Sequence, residues 1–211
     1  MPVPDPNDSL KHWLDAIASP TISPGGGAAA AVAGAVAAAL VEMVAGLTGA
    51  REKYAAVHGL AARAREKAER LKDGMLALAA RDARAFDAFT RALALPAGAS
   101  DERERRARAK ADALAAGAAV QLELLSHLAQ VAELSLDIAE QGLATGMGDA
   151  ATGAFLALGG ARSAYWSVRS NLAEAAGGTA DRERIATAKG LLERVEDAER
   201  RARHLLESRV P

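Results

Sequence analysis

Residues 71–93 read LKDGMLALAARDARAFDAFTRAL. Within them Leu71, Met75, Leu78, Asp82, Phe86, Phe89 and Leu93 recur in steps of three and four, the spacing that lines side chains up on one inward face of an α-helix. Six of the seven are apolar and the seventh, Asp82, is not. An ionised carboxylate on such a stripe is costly unless it is paired, hydrogen-bonded or facing a cavity. The same stretch therefore predicts a long helix and singles out one side chain within it.

Outward from this core the punctuation predicts the remaining elements. The helical pattern is led into by Arg51, Glu52, Lys53 and Tyr54 and ends before Pro96, which lacks an N–H and restricts the residue before it. Residues 97–100 form a turn, Ser100 or Asp101 caps the next segment, and periodicity runs on to Gly142, placed as a C-terminal glycine cap. These two helices are about 40 residues, or roughly 60 Å, each. Upstream, Asn7, Asp8 and Ser9 can cap a short helix to about Ser19, and residues 20–27 are a loop before an Ala/Gly helix over about 28–48. Downstream, Gly146 and Gly148 mark a loop, a fifth helix covers about 149–175, Gly177 and Gly178 break it, and Thr179 or Asp181 opens a charged helix to about Ser208.

Composition agrees. About a quarter of the 211 residues are alanine and only 3% are aromatic, a mixture suited to helices rather than to a sandwich or barrel. The expected fold is all-α: an elongated up-and-down bundle with long central helices, spanning residues 1–211 as one domain. Two adjoining stripes on the fourth helix, Val120, Leu124, Val131, Leu134 and Ile138 beside Leu122, Leu125, Ala129, Ala132 and Leu136, require cover on more than one side. The small residues all around helix 28–48 place it at the centre and at a subunit contact.

Charge excludes several functions. With 26 Lys+Arg against 27 Asp+Glu, interspersed along the chain, there is no basic face for nucleic acid. No cysteine means no disulfide and no thiolate site, and without HExxH or a carboxylate–histidine cluster no metal site is expected. Residues 22–41 carry no charge, yet their Ala and Gly have little affinity for lipid, no aromatic belt flanks them and Glu42 follows. They read as a buried helix rather than a membrane span. The N-terminus lacks a basic segment before an apolar run, so the expected location is cytoplasmic.

Candidate chemistry concentrates in a few places. Ser23-Pro24-Gly25-Gly26-Gly27 delivers the free amides of a helix N-terminus, which attract negative charge. It lacks the Lys and Ser/Thr of a Walker A loop and follows no strand, so a flexible connection is the competing reading. Asp87 lies about 140° around the helix from Asp82 at 100° per residue, so the two cannot form a dyad. Each could equally be ion-paired with an arginine. Asp149 is either a helix N-cap or a site residue. Arg162 and Arg169 share a face with Tyr165 and Trp166 between them, suited to a planar anion or simply to solvated arginines beside core rings. His127 falls in an apolar stripe and reads as a core histidine; His12, His58 and His204 share no motif.

Taken in order, the motifs resemble the formiminotetrahydrofolate cyclodeaminase and methenyltetrahydrofolate cyclohydrolase family. The segment from Pro20 through Gly25-Gly26-Gly27 to Ala31 resembles its PGGG segment. Gly46-Leu47-Thr48 with Lys53-Tyr54 looks like its Asn-Leu-Thr and Lys-Tyr run, and Asp82-Ala83-Arg84-Ala85-Phe86-Asp87 like its Asp-Ala-x-Ala-Phe-Asp segment. Gly148-Asp149 with Gly153 and Val168-Arg169-Ser170-Asn171-Leu172 complete the series. Ala28, Gly46 and Gln121 stand where the family usually has Ser, Asn and Pro.

The resemblance implies a dimeric helical enzyme of folate one-carbon chemistry. Its reaction either closes a formimino group onto the second nitrogen with loss of ammonia or hydrolyses a methenyl bridge. The substrate is a tetrahydrofolate derivative, with no tightly bound cofactor. Asp82, Asp87 and Asp149 would divide pterin recognition, cation stabilisation and proton transfer. Gly25, Gly26 and Gly27 would line the cleft, Lys53 and Arg169 would meet the glutamate tail, Asn171 would bond the folate, and Tyr54 would belong to the same substrate-binding set. The alternative is a non-catalytic folate-binding or assembly subunit that keeps the fold.

Overall fold

The computed structural model describes residues 3–174 and 178–209. Six α-helices follow one another: α1 (Leu10–Ala18), α2 (Gly26–Gly49), α3 (His58–Leu93), α4 (Ser100–Gln141), α5 (Met147–Glu174) and α6 (Thr179–Arg209). The described residues include no strand. From α2 onward each helix packs on the next, and α4 also meets α2 and α6 while α5 lies along α2. At the usual rise the 42 residues of α4 span about 63 Å. One hydrophobic cluster runs from Trp13 on α1 to Ala202 on α6.

Helix ends differ in detail from the expected ones, each for a local reason. Ser9 caps α1, its side chain accepting from the His12 N–H. The cap of α4 is Ala99 rather than Ser100 or Asp101, because Glu102 reaches back to accept from the Gly98 and Ala99 N–H groups at 2.9 and 3.0 Å. Residues 52–57 form a 3-10 turn instead of the first turns of α3, with Tyr54 at non-helical φ −106° and ψ 18°. Gly142 has an ordinary φ of −83°, so it is no left-handed cap. Its lack of a side chain serves close approach, since a Cβ would stand 2.5 Å from the Ile138 carbonyl and 3.0 Å from Thr48 Oγ1.

The Ala/Gly helix is central as expected. α2 is long and apolar enough to cross a bilayer, but its length is consumed in packing on α3, α4 and α5. Small residues make this possible: a Cβ on Gly160 of α5 would stand 3.2 Å from the Ala30 carbonyl and from Leu128. Outside this packed surface α2 exposes Val36, Met43 and Leu47, and its neighbour α5 exposes Phe155 and Trp166. α4 is covered on both stripes, with Leu124, Leu125, Val131, Ala132 and Ile138 fully buried.

The stripe from Leu71 to Leu93 is a core stripe only in part. Leu71, Met75 and Leu78 are buried, whereas Phe86 and Leu93 are exposed. The change occurs at Asp82, where α3 passes the first turn of α2. Beyond that point α2 no longer lies against α3 to cover its inner face. His127, expected as a core histidine, is half-buried with its Nδ1 lacking a hydrogen-bond partner among the described residues. Burial, with Arg81 adding and Glu123 opposing, holds its pKa below the usual histidine value.

Candidate functional site

Where α2 begins, the helices part to leave a cleft of about 340 Å³, at the lower end of the range for small-molecule pockets. The triple glycine forms one lip, with Gly25 as N-cap of α2 and Gly26 and Gly27 in its first turn. Ser23 anchors the preceding loop by donating to the Ala83 carbonyl at 3.4 Å. Ile22, Phe86, Phe89 and Leu114 supply apolar surface; Asp82, Gln121, Ser167 and Asn171 supply the polar groups. Such a mixture can hold the faces of a planar heterocycle while a few polar atoms fix its edge.

Among the described residues Asp82 is the only ionisable side chain lining this cleft. Burial raises its pKa above the usual carboxylate value, opposed by the hydrogen bond from Gln121 and by another from the Ala28 N–H. Gln121 Nε2 donates to Asp82 Oδ1 at 2.6 Å. Ala28 is the third residue of α2, so Asp82 also receives one of the amides that a helix start leaves unpaired. Ala28 has no side-chain donor, and its backbone amide alone makes the contact.

This packing explains why the loop ends in glycine. A Cβ on Gly27 would stand 2.6 and 2.7 Å from the two Asp82 carboxylate oxygens and closer still to Gln121 Nε2. On α4, a Cβ at Gly117 would approach Asn171 Nδ2 to 3.0 Å. Both glycines thus permit polar side chains from neighbouring helices to meet at the cleft.

The structure brings together Gly25, Gly26, Gly27, Asp82 and Asn171 from the expected set. It leaves the others outside this cleft. Asp87 is half-buried on another face of α3, as the 140° offset requires. Asp149 is exposed in the first turn of α5; α5 starts two residues earlier, so Asp149 is not its N-cap. Along α5 it lies about 33 Å from Asn171 at the helical rise. Lys53 is exposed at that same far end. Tyr54 accepts there at its hydroxyl from the Ala144 N–H at 3.1 Å. Next to it Thr48 Oγ1 accepts from the Leu143 N–H at 2.9 Å, so these two motif positions fasten the α4–α5 turn.

Arg169 is exposed and packs its guanidinium over Trp166 at 4.8 Å and Tyr165 at 5.8 Å. Arg162, on the same helix, meets Glu196 of α6 at 3.4 Å. Sequence reasoning did not identify Gln121 as the partner of Asp82. Its signal was the same as that of the aspartate: a polar residue on the buried face shared by Gly117, Leu124 and Leu128. Among the described residues no group of three or more His, Cys, Asp or Glu side chains is placed to hold a metal ion.

Comparison with known proteins matches residues 9–190 to the family described as Formiminotransferase-cyclodeaminase. A methenyltetrahydrofolate cyclohydrolase of Methylorubrum extorquens is 34% identical over 190 residues, covering 88% of this chain and 89% of the relative. The crystal structure of a formiminotetrahydrofolate cyclodeaminase from Thermotoga maritima superposes with a TM-score of 0.87 at 26% identity. That alignment covers 97% of this chain and 98% of the other.

Proposed function

Since the chain belongs to the formiminotransferase-cyclodeaminase family, we propose that it is a folate one-carbon enzyme whose reaction takes place beside Asp82. The substrate is a tetrahydrofolate adduct, and no tightly bound cofactor takes part. One observation carries the reading: a single carboxylate, half-buried and bonded to two N–H donors, is the only ionisable group among the described residues that line an otherwise uncharged cleft. A cationic methenyl bridge seated there meets one negative charge and little water to screen it. In hydrolysis a water oxygen bonds to the bridging carbon, one carbon–nitrogen bond breaks, and of the two water protons one is released and the other passes to the departing nitrogen. In cyclodeamination the second nitrogen bonds to the formimino carbon and gives up its proton, and the formimino nitrogen is protonated and leaves as ammonia. Asp82 can take a proton from the water or supply one to the formimino nitrogen, and its raised pKa suits either transfer. Gly25, Gly26, Gly27 and Asn171 bind the substrate in this reading.

Asp82→Asn preserves shape and removes the charge. It is expected to lower turnover of methenyltetrahydrofolate, or of the formimino compound, at least a hundredfold while leaving the far-ultraviolet circular dichroism unchanged. Near-normal turnover in a folded variant would remove Asp82 from the reaction. Binding without turnover by the unaltered chain would favour the non-catalytic alternative.

The same proposal includes a cytoplasmic homodimer. The exposed Val36, Met43 and Leu47 of α2 lie on a helix packed against the one carrying exposed Phe155 and Trp166, apolar surface of the kind that a partner chain covers. A two-fold pairing through this face, with the helices antiparallel, brings the Lys53, Tyr54 and Asp149 end of one copy towards the Asp82 end of the other. Met43→Glu is expected to shift the light-scattering mass from two chains to one. Mixed Asp82→Asn and Asp149→Asn chains would regain activity only if each site draws on both copies.

A further inference from the structure

Gln121 is 1% exposed on α4, and only one end of its amide is satisfied. Nε2 donates to Asp82 Oδ1 at 2.6 Å, whereas Oε1 is buried without a hydrogen-bond partner among the described residues. An apolar side chain of similar size would leave no such orphan, so the amide is a standing cost to the fold. We propose that Gln121 is a positioning residue: its N–H, with the Ala28 N–H, clamps the Asp82 carboxylate against the start of α2 and fixes which edge it turns to the cleft. The proposal rests on Asp82 being the reacting carboxylate. The surroundings make Gln121 the adjustable member of that clamp. The Ala28 amide belongs to the helix backbone and cannot move, and Gly27 leaves the gap through which the Gln121 side chain reaches the carboxylate.

Facing Asp82 are the first turn of α2, Gln121 of α4, and the uncharged Ser167 and Asn171 of α5 across the cleft. The ion pair nearest along the chain, Arg81–Glu123 at 2.8 Å, is almost half exposed at both ends. It does not figure among the influences on Asp82. With no charge to oppose burial, the two N–H donors are what favour the ionised form. Gln121 borders the cleft, but it is 1% exposed, its Oε1 is buried and its Nε2 is held by Asp82. Removing it therefore frees the carboxylate to rotate and moves its titration to higher pH without taking a hydrogen bond from the ligand.

The test compares wild type with Gln121→Leu and Gln121→Met, both apolar and of similar volume, and with the isosteric Gln121→Glu. Turnover of methenyltetrahydrofolate is measured from pH 5 to 9 alongside thermal unfolding. Since an orphan disappears as a bond is lost, the apolar variants are expected to unfold within a few degrees of wild type. Their kcat is expected to fall tenfold or more with KM unchanged within twofold, and the pH limb due to Asp82 to move upward. Gln121→Glu keeps the shape but sets a second carboxyl against Asp82, where the pair shares one proton, so it is expected to move the pH limb upward even if the apolar variants do not fold. Wild-type kcat and pH profile in folded variants would overturn the proposal, as would a rise in KM alone. Asp82→Asn in the same assay separates the two claims: if it stays active, the role of Asp82 fails, and if it is dead while the Gln121 variants are normal, only the positioning role fails.

Discussion

Replacing Gly27 with alanine adds one methyl group at the most crowded point of the cleft. Its Cβ would fall 2.6 and 2.7 Å from the Asp82 oxygens and nearer still to Gln121 Nε2, well inside van der Waals contact. Gln121 is 1% exposed and held by its bond to Asp82, so it yields little. Overpacking of this kind costs about 1–3 kcal/mol, and separating Gln121 from Asp82 forfeits a charge-assisted hydrogen bond of about 1.5–3 kcal/mol. Alanine returns about 0.5–1 kcal/mol as the better helix former. The net loss is about 3 kcal/mol, which for a chain of this size lowers Tm by roughly 6–12 °C. Gly26→Ala is the control, since nothing lies within 4 Å of its Cβ position and the helix gains without a clash. Calorimetric scans of the two variants and wild type, with turnover measured at 25 °C, check this. If Gly27→Ala unfolds at the wild-type temperature, Asp82 and Gln121 do not meet over that glycine and the architecture of the cleft is wrong.

Two further outcomes follow from groups outside the cleft. Burial holds the His127 pKa below its unfolded value near 6.5, so the unfolded chain binds the proton more readily and the stability tied to this group falls as pH drops below that value. His127→Leu is expected to lose less stability than wild type between pH 7 and 5 in urea titrations; parallel losses would remove His127 as the cause. Thr48 is fully buried, donating to the Val44 carbonyl at 2.8 Å and accepting from the Leu143 N–H at 2.9 Å. Thr48→Val keeps the volume but leaves that N–H unpaired, an expected loss of about 2 kcal/mol, visible as a Tm lower by about 4–8 °C.

Elements were legible because their causes are local. Periodicity in residues 71–93, the stop at Pro96 and the breaks around residues 142–148 depend only on neighbours along the chain, and the helices lie within a few residues of expectation. Ends shifted where a side chain intervened from a few residues away, as Glu102 did at the start of α4. The family, too, was legible, since its motifs are contiguous runs of residue types. A polar group on an apolar stripe marked Asp82 without reference to any other helix.

What the linear order could not supply is which of the marked residues stand together. Asp87 and Asp149 carry the same motif signal as Asp82, yet α3 turns one away from the cleft and the length of α5 separates the other from it. Gln121 is 39 residues from Asp82 and its amide became meaningful only when α3 and α4 packed side by side. Helix formation is decided within a turn or two by backbone hydrogen bonds and side-chain spacing, so residue order suffices to determine it. Pairing across helices is decided by where small residues such as Gly27 let two surfaces close, and that is a property of the packed bundle alone.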